Sequence, residues 1–328
     1  MGIWFAWLAI FYAAWYGLVL RAGGLETIVG QWPIAVTMAL GSYVAGSTPM
    51  GGGTVAFPVL VLLFDLPAML GRDFSFAIQS IGMTSASIFI LCRRMRLAWA
   101  MLKGAILGSV VGIPVGILWI APAVPEFWIK MVFAILWAAF GVSHLLRFGE
   151  ISRQEGMNEF NEWWDFRIGA GIGFLCGATV VSVTGVGVDM LLYAALVLLS
   201  RADPRIAIPT SVVVMAFNSV FGLAIKLGTG GLQSGVYEKW LAAAPVVALG
   251  APLGAFFAAI IGRRPTLVFV SILCIGQFLW TCLHERDELG AGGLMVASVA
   301  VLLGVGGFEA LKARGCTLAA KSTNSREH

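Results

Sequence analysis

Charge is what this sequence has least of. Only 12% of its 328 residues are Asp, Glu, Lys or Arg, where a soluble globular domain carries about 25%. That shortage excludes an ordinary water-soluble fold. Histidine is scarcer still, with His144, His284 and His328 scattered along the chain and forming no ligand motif. The five cysteines, Cys92, Cys176, Cys274, Cys282 and Cys316, stand singly. None is paired at metal-ligand spacing, so they read as packing thiols. No phosphate-binding loop is present, which removes the usual means of ATP hydrolysis. No enzyme activity, cofactor, metal or nucleic-acid partner is therefore expected. A basic stretch is also missing ahead of the first apolar run, Ile3 to Leu20, which is long for the core of a signal peptide; it reads as a helix.

What the chain has in quantity is long apolar runs. With 59% hydrophobic residues and a mean hydropathy of +0.91, it reads as an all-α polytopic membrane protein, a single integral domain with lipid as its surroundings. A run from about 32 to 66 is too long for one span and too short for two with a loop. Spans are expected at about 73–92, 97–121 and 126–148, followed by a polar loop from Glu150 to Trp164. The pattern then restarts: a second long run at 166–200, spans at about 205–227, 238–262, 265–284 and 290–312, and a disordered tail over 313–328 on the cytoplasmic side.

Both long runs contain a stretch that breaks a helix. The first is Ser47-Thr48-Pro49-Met50-Gly51-Gly52-Gly53-Thr54, the second Ser182-Val183-Thr184-Gly185-Val186-Gly187-Val188-Asp189. In hydrocarbon a broken backbone is tolerated only where it is buried in protein or lines a wet cavity. With Gly52 placed on Gly187, Pro67 matches Pro204, Ala77-Ile78-Gln79-Ser80 falls on Ile208-Pro209-Thr210-Ser211, and Ser87 falls on Asn218. The chain thus reads as two repeats, about 33–148 and 166–284, with one extra helix at each end. Basic residues cluster at Arg93, Arg94 and Arg96, at Arg263 and Arg264, and at Lys312 and Arg314. All three clusters fall on the cytoplasmic side if both broken segments are re-entrant hairpins and the repeats are inverted. Spanning broken helices are the alternative, and Arg21 sits on the predicted outer side.

Free N–H groups at a helix end, with the positive end of its dipole, bind anions without any cationic side chain. Gly51, Gly52, Gly53, Gly185 and Gly187 let a ligand approach the backbone, and Thr48, Thr54, Ser182 and Thr184 offer hydroxyls. Paired breaks in corresponding positions mark substrate sites in transporters. The competing reading is close helix packing through small residues, which two breaks in register make the weaker one. Polar stripes follow each break; Gln79, Ser80, Thr210, Ser211 and Asn218 are the substrate-binding candidates among them, with interhelical hydrogen bonding as the alternative. Asp189 is either a coupling group for protons or sodium or a cap on the short helix after the break. Lys103 reads as snorkelling to the surface and His144 as interfacial.

These residues resemble the sulfite exporter TauE/SafE family, also called the 4-toluene sulfonate uptake permeases. The resemblance rests on Gly51-Gly52-Gly53 with Pro58, Pro67 and Gln79-Ser80, and again on Gly185-Val186-Gly187 with Pro204 and Thr210-Ser211, over about 35–310. Val188, Asp189 and Tyr193 depart from the family pattern, and the first helix is an extension. The resemblance implies a secondary transporter of small sulfur-containing anions, such as sulfite or sulfoacetate, in the bacterial inner membrane, working by alternating access. An anion channel, or a carrier for a non-sulfur organic anion, is the alternative, and a homodimer is left open.

Overall fold

The computed structural model describes residues 1–151, 156–157, 161–261 and 263–324, and these form helices joined by short turns. Helix α1 is Gly2–Arg21, α2 Leu25–Gly30 and α3 Trp32–Ser47. A turn leads to α4, Gly53–Pro58, which continues as a π-helical turn over Val59–Leu63. Then come α5, Ala68–Cys92, α6, Trp99–Val115, and α7, Glu126–Ile151. After α8, Glu162–Cys176, a π-helical turn leads into the short α9, Ser182–Thr184. Three residues later α10, Val188–Ala194, begins and runs into another π-helical turn, Ala195–Leu199. The chain ends with α11, Pro204–Thr229, α12, Val236–Ile261, α13, Arg263–His284, and α14, Arg286–Asn324, which is kinked at Gly290. Eight helices among the described residues are long and apolar enough to cross a membrane; the protein is a multi-pass membrane protein.

Three differences from expectation stand out. Helix α5 starts at Ala68, where Pro67 ends the preceding turn and the Glu126 carboxylate accepts from the Ala68 N–H at 2.6 Å. Helix α14 runs on through 313–324, so the segment expected to be disordered continues a helix. His144 is buried beneath Phe140 and Tyr193 instead of lying at an interface. Residues 152–155 and 158–160 of the polar loop, the side chains of Arg263 and Arg264, and residues 325–328 lie outside the described residues.

Small residues set how closely the helices pack. On α6, Gly104, Gly108 and Gly112 sit against the Phe166, Ala170 and Phe174 carbonyls of α8, while Gly169 and Gly173 of α8 sit against Met101 and Ala105. A Cβ on Gly108 would lie 2.1 Å from the Ala170 carbonyl oxygen, so the backbones touch and the two helices run parallel. This four-residue repeat of glycines is how helices associate in lipid, where apolar burial between them gains little. Helix α3 packs parallel to α12 in the same way, with Gly250 on Ser42 and Gly46 on Ala251.

At the centre, α5 and α11 pack antiparallel. Gly222 lies on Phe76, while Ala86 and Ile90 share a small cavity with Ile208 and Val212. Helix α12 runs parallel to α5, since Trp240 Nε1 donates to the Ala77 carbonyl and Ser85 Oγ to the Ala248 carbonyl. The extra helix α1 lies on this core through Trp4 to Ser85, Tyr12 to the Pro245 carbonyl and Trp15 to the Leu241 carbonyl.

Candidate functional site

The two interruptions, at 48–52 and 185–187, meet inside the protein. A Cβ built on Gly53 would stand 2.1 Å from Val186 Cγ1, and one on Gly185 would stand 2.5 Å from the Arg72 carbonyl oxygen of α5. Gly51, Gly185 and Gly187 have φ of +62°, +81° and +111°, which a side chain strongly disfavours. Their glycines are thus required twice over, by backbone conformation and by contact. Trp137 of α7 touches both turns: its Nε1 donates to Thr54 Oγ1 at 3.1 Å, and its ring lies against Gly187. It stands in an aromatic column with Phe133 and Phe57.

Gln79 joins them. Its Nε2 donates to the Ser75 carbonyl at 3.1 Å and to the Gly185 carbonyl at 3.2 Å. Two carbonyl partners fix which end of the amide is nitrogen, so Oε1 points the other way, buried and without a donor. Asp189 at the start of α10 is fully buried. Its Oδ1 accepts from the Met190 N–H at 3.0 Å, and the Gly187 and Asp189 amides also act on the carboxylate. Oδ2 has no donor. A Cβ on Gly51 would stand 2.4 Å from Gln79 Oε1 and 2.8 Å from Asp189 Oδ2, so both oxygens converge on the first turn.

The amides of the two turns differ. In the first, Thr54 donates to the Gly51 carbonyl and Val55 and Ala56 to the Gly52 carbonyl, and Pro49 to Gly52 form a turn. In the second, Gly185 donates to the Val181 carbonyl, Val186 to Thr184 Oγ1 and Met190 to Asp189 Oδ1. The two turns thus differ in that only the second carries a carboxylate, Asp189, which accepts from the Met190 N–H.

The structure therefore brings together Gly51, Gly53, Gln79, Gly185, Gly187 and Asp189, with Thr54 beside them. Gly52 faces Met38 and Ala45 instead. The hydroxyls of Thr48, Thr54, Ser80, Ser182, Thr184, Thr210 and Ser211 each donate to a backbone carbonyl three or four residues earlier. Thr210 also accepts from the Ala98 N–H ahead of α6, and Ser182 lies against Gly116; both sit away from the meeting point. Asn218 is fully buried with both polar atoms unpartnered, one turn from the Gly222 contact with Phe76. Lys103 is exposed.

Sequence reasoning missed Trp137 and a buried ion cluster on α5. Asp73, fully buried, pairs with Arg72 at 2.9 Å and with Lys226 at 3.3 Å, and accepts from the Gln233 N–H. Its signal was present, as charged residues at the ends of apolar runs, but Arg72 was assigned to a loop. Two cavities adjoin the site. One of about 430 Å³ opens beside α4 and α13, with Thr54, Cys274 and Gln277 its few polar wall residues. The other reaches Ser47 from the side of Met95 and Arg205.

A protein-family model, sulfite exporter TauE/SafE, matches residues 33–279. The chain belongs to the sulfite exporter TauE/SafE family. That is a family of membrane transporters, and the match begins at α3 and ends within α13, leaving α1, α2 and α14 outside. No match was found among curated proteins or among solved structures. Within this family member, both glycine turns and the Gln79–Asp189 convergence lie inside the matched region.

Proposed function

We propose that the protein is a secondary transporter of small sulfur-containing anions, sulfite or an organosulfonate such as sulfoacetate, in the bacterial inner membrane. The anion binds at the first turn, on the N–H groups of Met50, Gly51, Gly52 and Gly53. The observation that carries this reading is that the two glycine turns meet in the buried interior, Gly53 against Val186 and Gly185 against the Arg72 carbonyl, as paired helix breaks do at transporter substrate sites.

Helix directions favour inverted repeats with re-entrant hairpins. Helices α3 and α5 both run parallel to α12, so the chain between them has to turn back. The returning Gly53–Leu63 segment is about 16 Å long, half of a hydrocarbon core of about 30 Å. Exchange of the halves maps the α3–α12 pairing onto α8–α6 and leaves α5–α11 paired with itself. Such an arrangement lets one half rock against the other around a fixed site. Solute counterflow in proteoliposomes is the test: trapped sulfoacetate or sulfite should drive uptake of labelled anion. Flux without counterflow means a channel, and no flux of either anion refutes the substrate class.

A further inference from the structure

Asp189 Oδ2 and Gln79 Oε1 are two oxygens with no donor, both at least nine-tenths buried, aimed at one point beside Gly51. Two buried acceptors beside the same glycine, each without a donor, are unfavourable as they stand. A single hydrogen between them satisfies both. We propose that Asp189 binds a transported proton, as an Oδ2–H that donates to Gln79 Oε1, and that this proton and the anion on the first turn bind cooperatively. The inference rests on the anion reading above.

A proton fits better than a metal ion. Hard cations take about six oxygen ligands, and two unpartnered oxygens converge here; Ser75 Oγ and Thr54 Oγ1 both donate to carbonyls. The link to the anion follows from position. A Cβ on Gly51 would stand 2.8 Å from Asp189 Oδ2, so an anion bound at that turn and an ionised Asp189 repel in a buried setting, where Coulomb energies are large. Other ionisable groups on the surrounding elements are engaged elsewhere or stand off. Arg72 and Lys226 are each paired with Asp73 near the start of α5, where the Arg72 carbonyl adjoins Gly185. His144 of α7 stacks on Tyr193 of α10, Cys176 lies on α8, and Cys274 of α13 contacts Met50.

Each cycle then takes one proton from water on one side onto Oδ2, carries it with the anion, and releases it to water on the other. The sign is fixed: the protonated form holds the anion, so affinity is full at low pH and falls as pH rises through the Asp189 titration. A coupling of ordinary size makes that fall about 5- to 150-fold.

The test is calorimetric titration of the purified protein with sulfoacetate in buffers of different ionisation enthalpy, together with infrared difference spectra between acid and alkaline pH. The wild type should take up close to one proton per anion at alkaline pH and show a protonated-carboxyl band on acidification. Asp189→Asn should lose the band, the proton uptake and the pH dependence together. Anion binding without proton uptake overturns the proposal and leaves the anion reading standing. The band appearing and vanishing in Asp189→Asn, with no anion bound at any pH, supports the proton site and overturns the anion reading. A wild type with no band overturns the proposal even if the variant does not fold, and sodium-dependent binding in place of proton uptake overturns it in favour of a metal ion.

Discussion

Two adjacent glycines in the first turn should respond to the same substitution in opposite ways. Gly51 has φ +62°, and a methyl group there would stand 2.4 Å from Gln79 Oε1 and 2.8 Å from Asp189 Oδ2. Gly52 has φ −68°, and its methyl would meet Ala45 and Met38 at 3.5 Å, an ordinary contact. Gly51→Ala therefore carries about 1–2 kcal/mol of backbone strain and displaces Gln79 Oε1 and Asp189 Oδ2 beside the anion turn. Loss of one charge-assisted hydrogen bond costs a further 1.5–3 kcal/mol, roughly a 10- to 100-fold rise in Kd. Gly52→Ala should change Kd by less than about threefold, the range of substitutions that meet no strain or clash. The assay is calorimetric titration of sulfoacetate into each detergent-purified variant, with a size-exclusion profile to show that it is folded. Wild-type affinity in Gly51→Ala, or equal losses in both variants, would refute the reasoning.

The remaining predictions concern the framework. Gly108→Leu forces α6 off the Ala170 carbonyl and should cost at least the 1–3 kcal/mol of overpacking, read as a lowered Tm in detergent. Asp73→Asn leaves Arg72 and Lys226 without their shared carboxylate. Breaking a buried pair costs about 3–5 kcal/mol, so Tm should fall more than in Lys226→Met, where Arg72 keeps its partner. Gln79→Leu removes the bonds to Ser75 and Gly185; counterflow should drop at least tenfold, the order expected when two buried carbonyls lose their donor. Unchanged counterflow would mean that Gln79 does not hold the two turns together.

The helical membrane fold was legible because apolar runs of span length have one structural solution in lipid. Pro49 with Gly51 to Gly53, and Gly185 with Gly187, also marked the places where the helices stop, since proline and glycine act through the local backbone. What stayed hidden was non-local. Gln79 reaches Gly185 across 106 residues, and no spacing rule foretells that its nitrogen is committed to carbonyls while its oxygen faces Gly51. The hydroxyls of Thr48, Thr184 and Thr210 looked like ligand donors because composition does not reveal that they donate back along their own helices. Arg72 and Asp73 were hidden for a different reason: charge next to a proline reads as loop, and only the tertiary partner Lys226 makes their burial tolerable.

The departure of the second half from the first then acquires a physical reading. An open nest of amides buried in protein is costly unless something fills it. In the first turn the proposed occupant is the transported anion; in the second it is Asp189, whose carboxylate accepts from the Met190 N–H. A chain without this carboxylate would hold two similar holes related by the exchange of halves, and two anions side by side would repel. Replacing one hole by a fixed carboxyl leaves a single anion site and sets a group that can gain or lose a proton beside it. On this reading Asp189→Gly should raise the number of sulfoacetate ions bound per protein from one to two, or abolish binding through mutual repulsion. A stoichiometry of one with unchanged affinity in that variant would show that the carboxylate fills no anion hole.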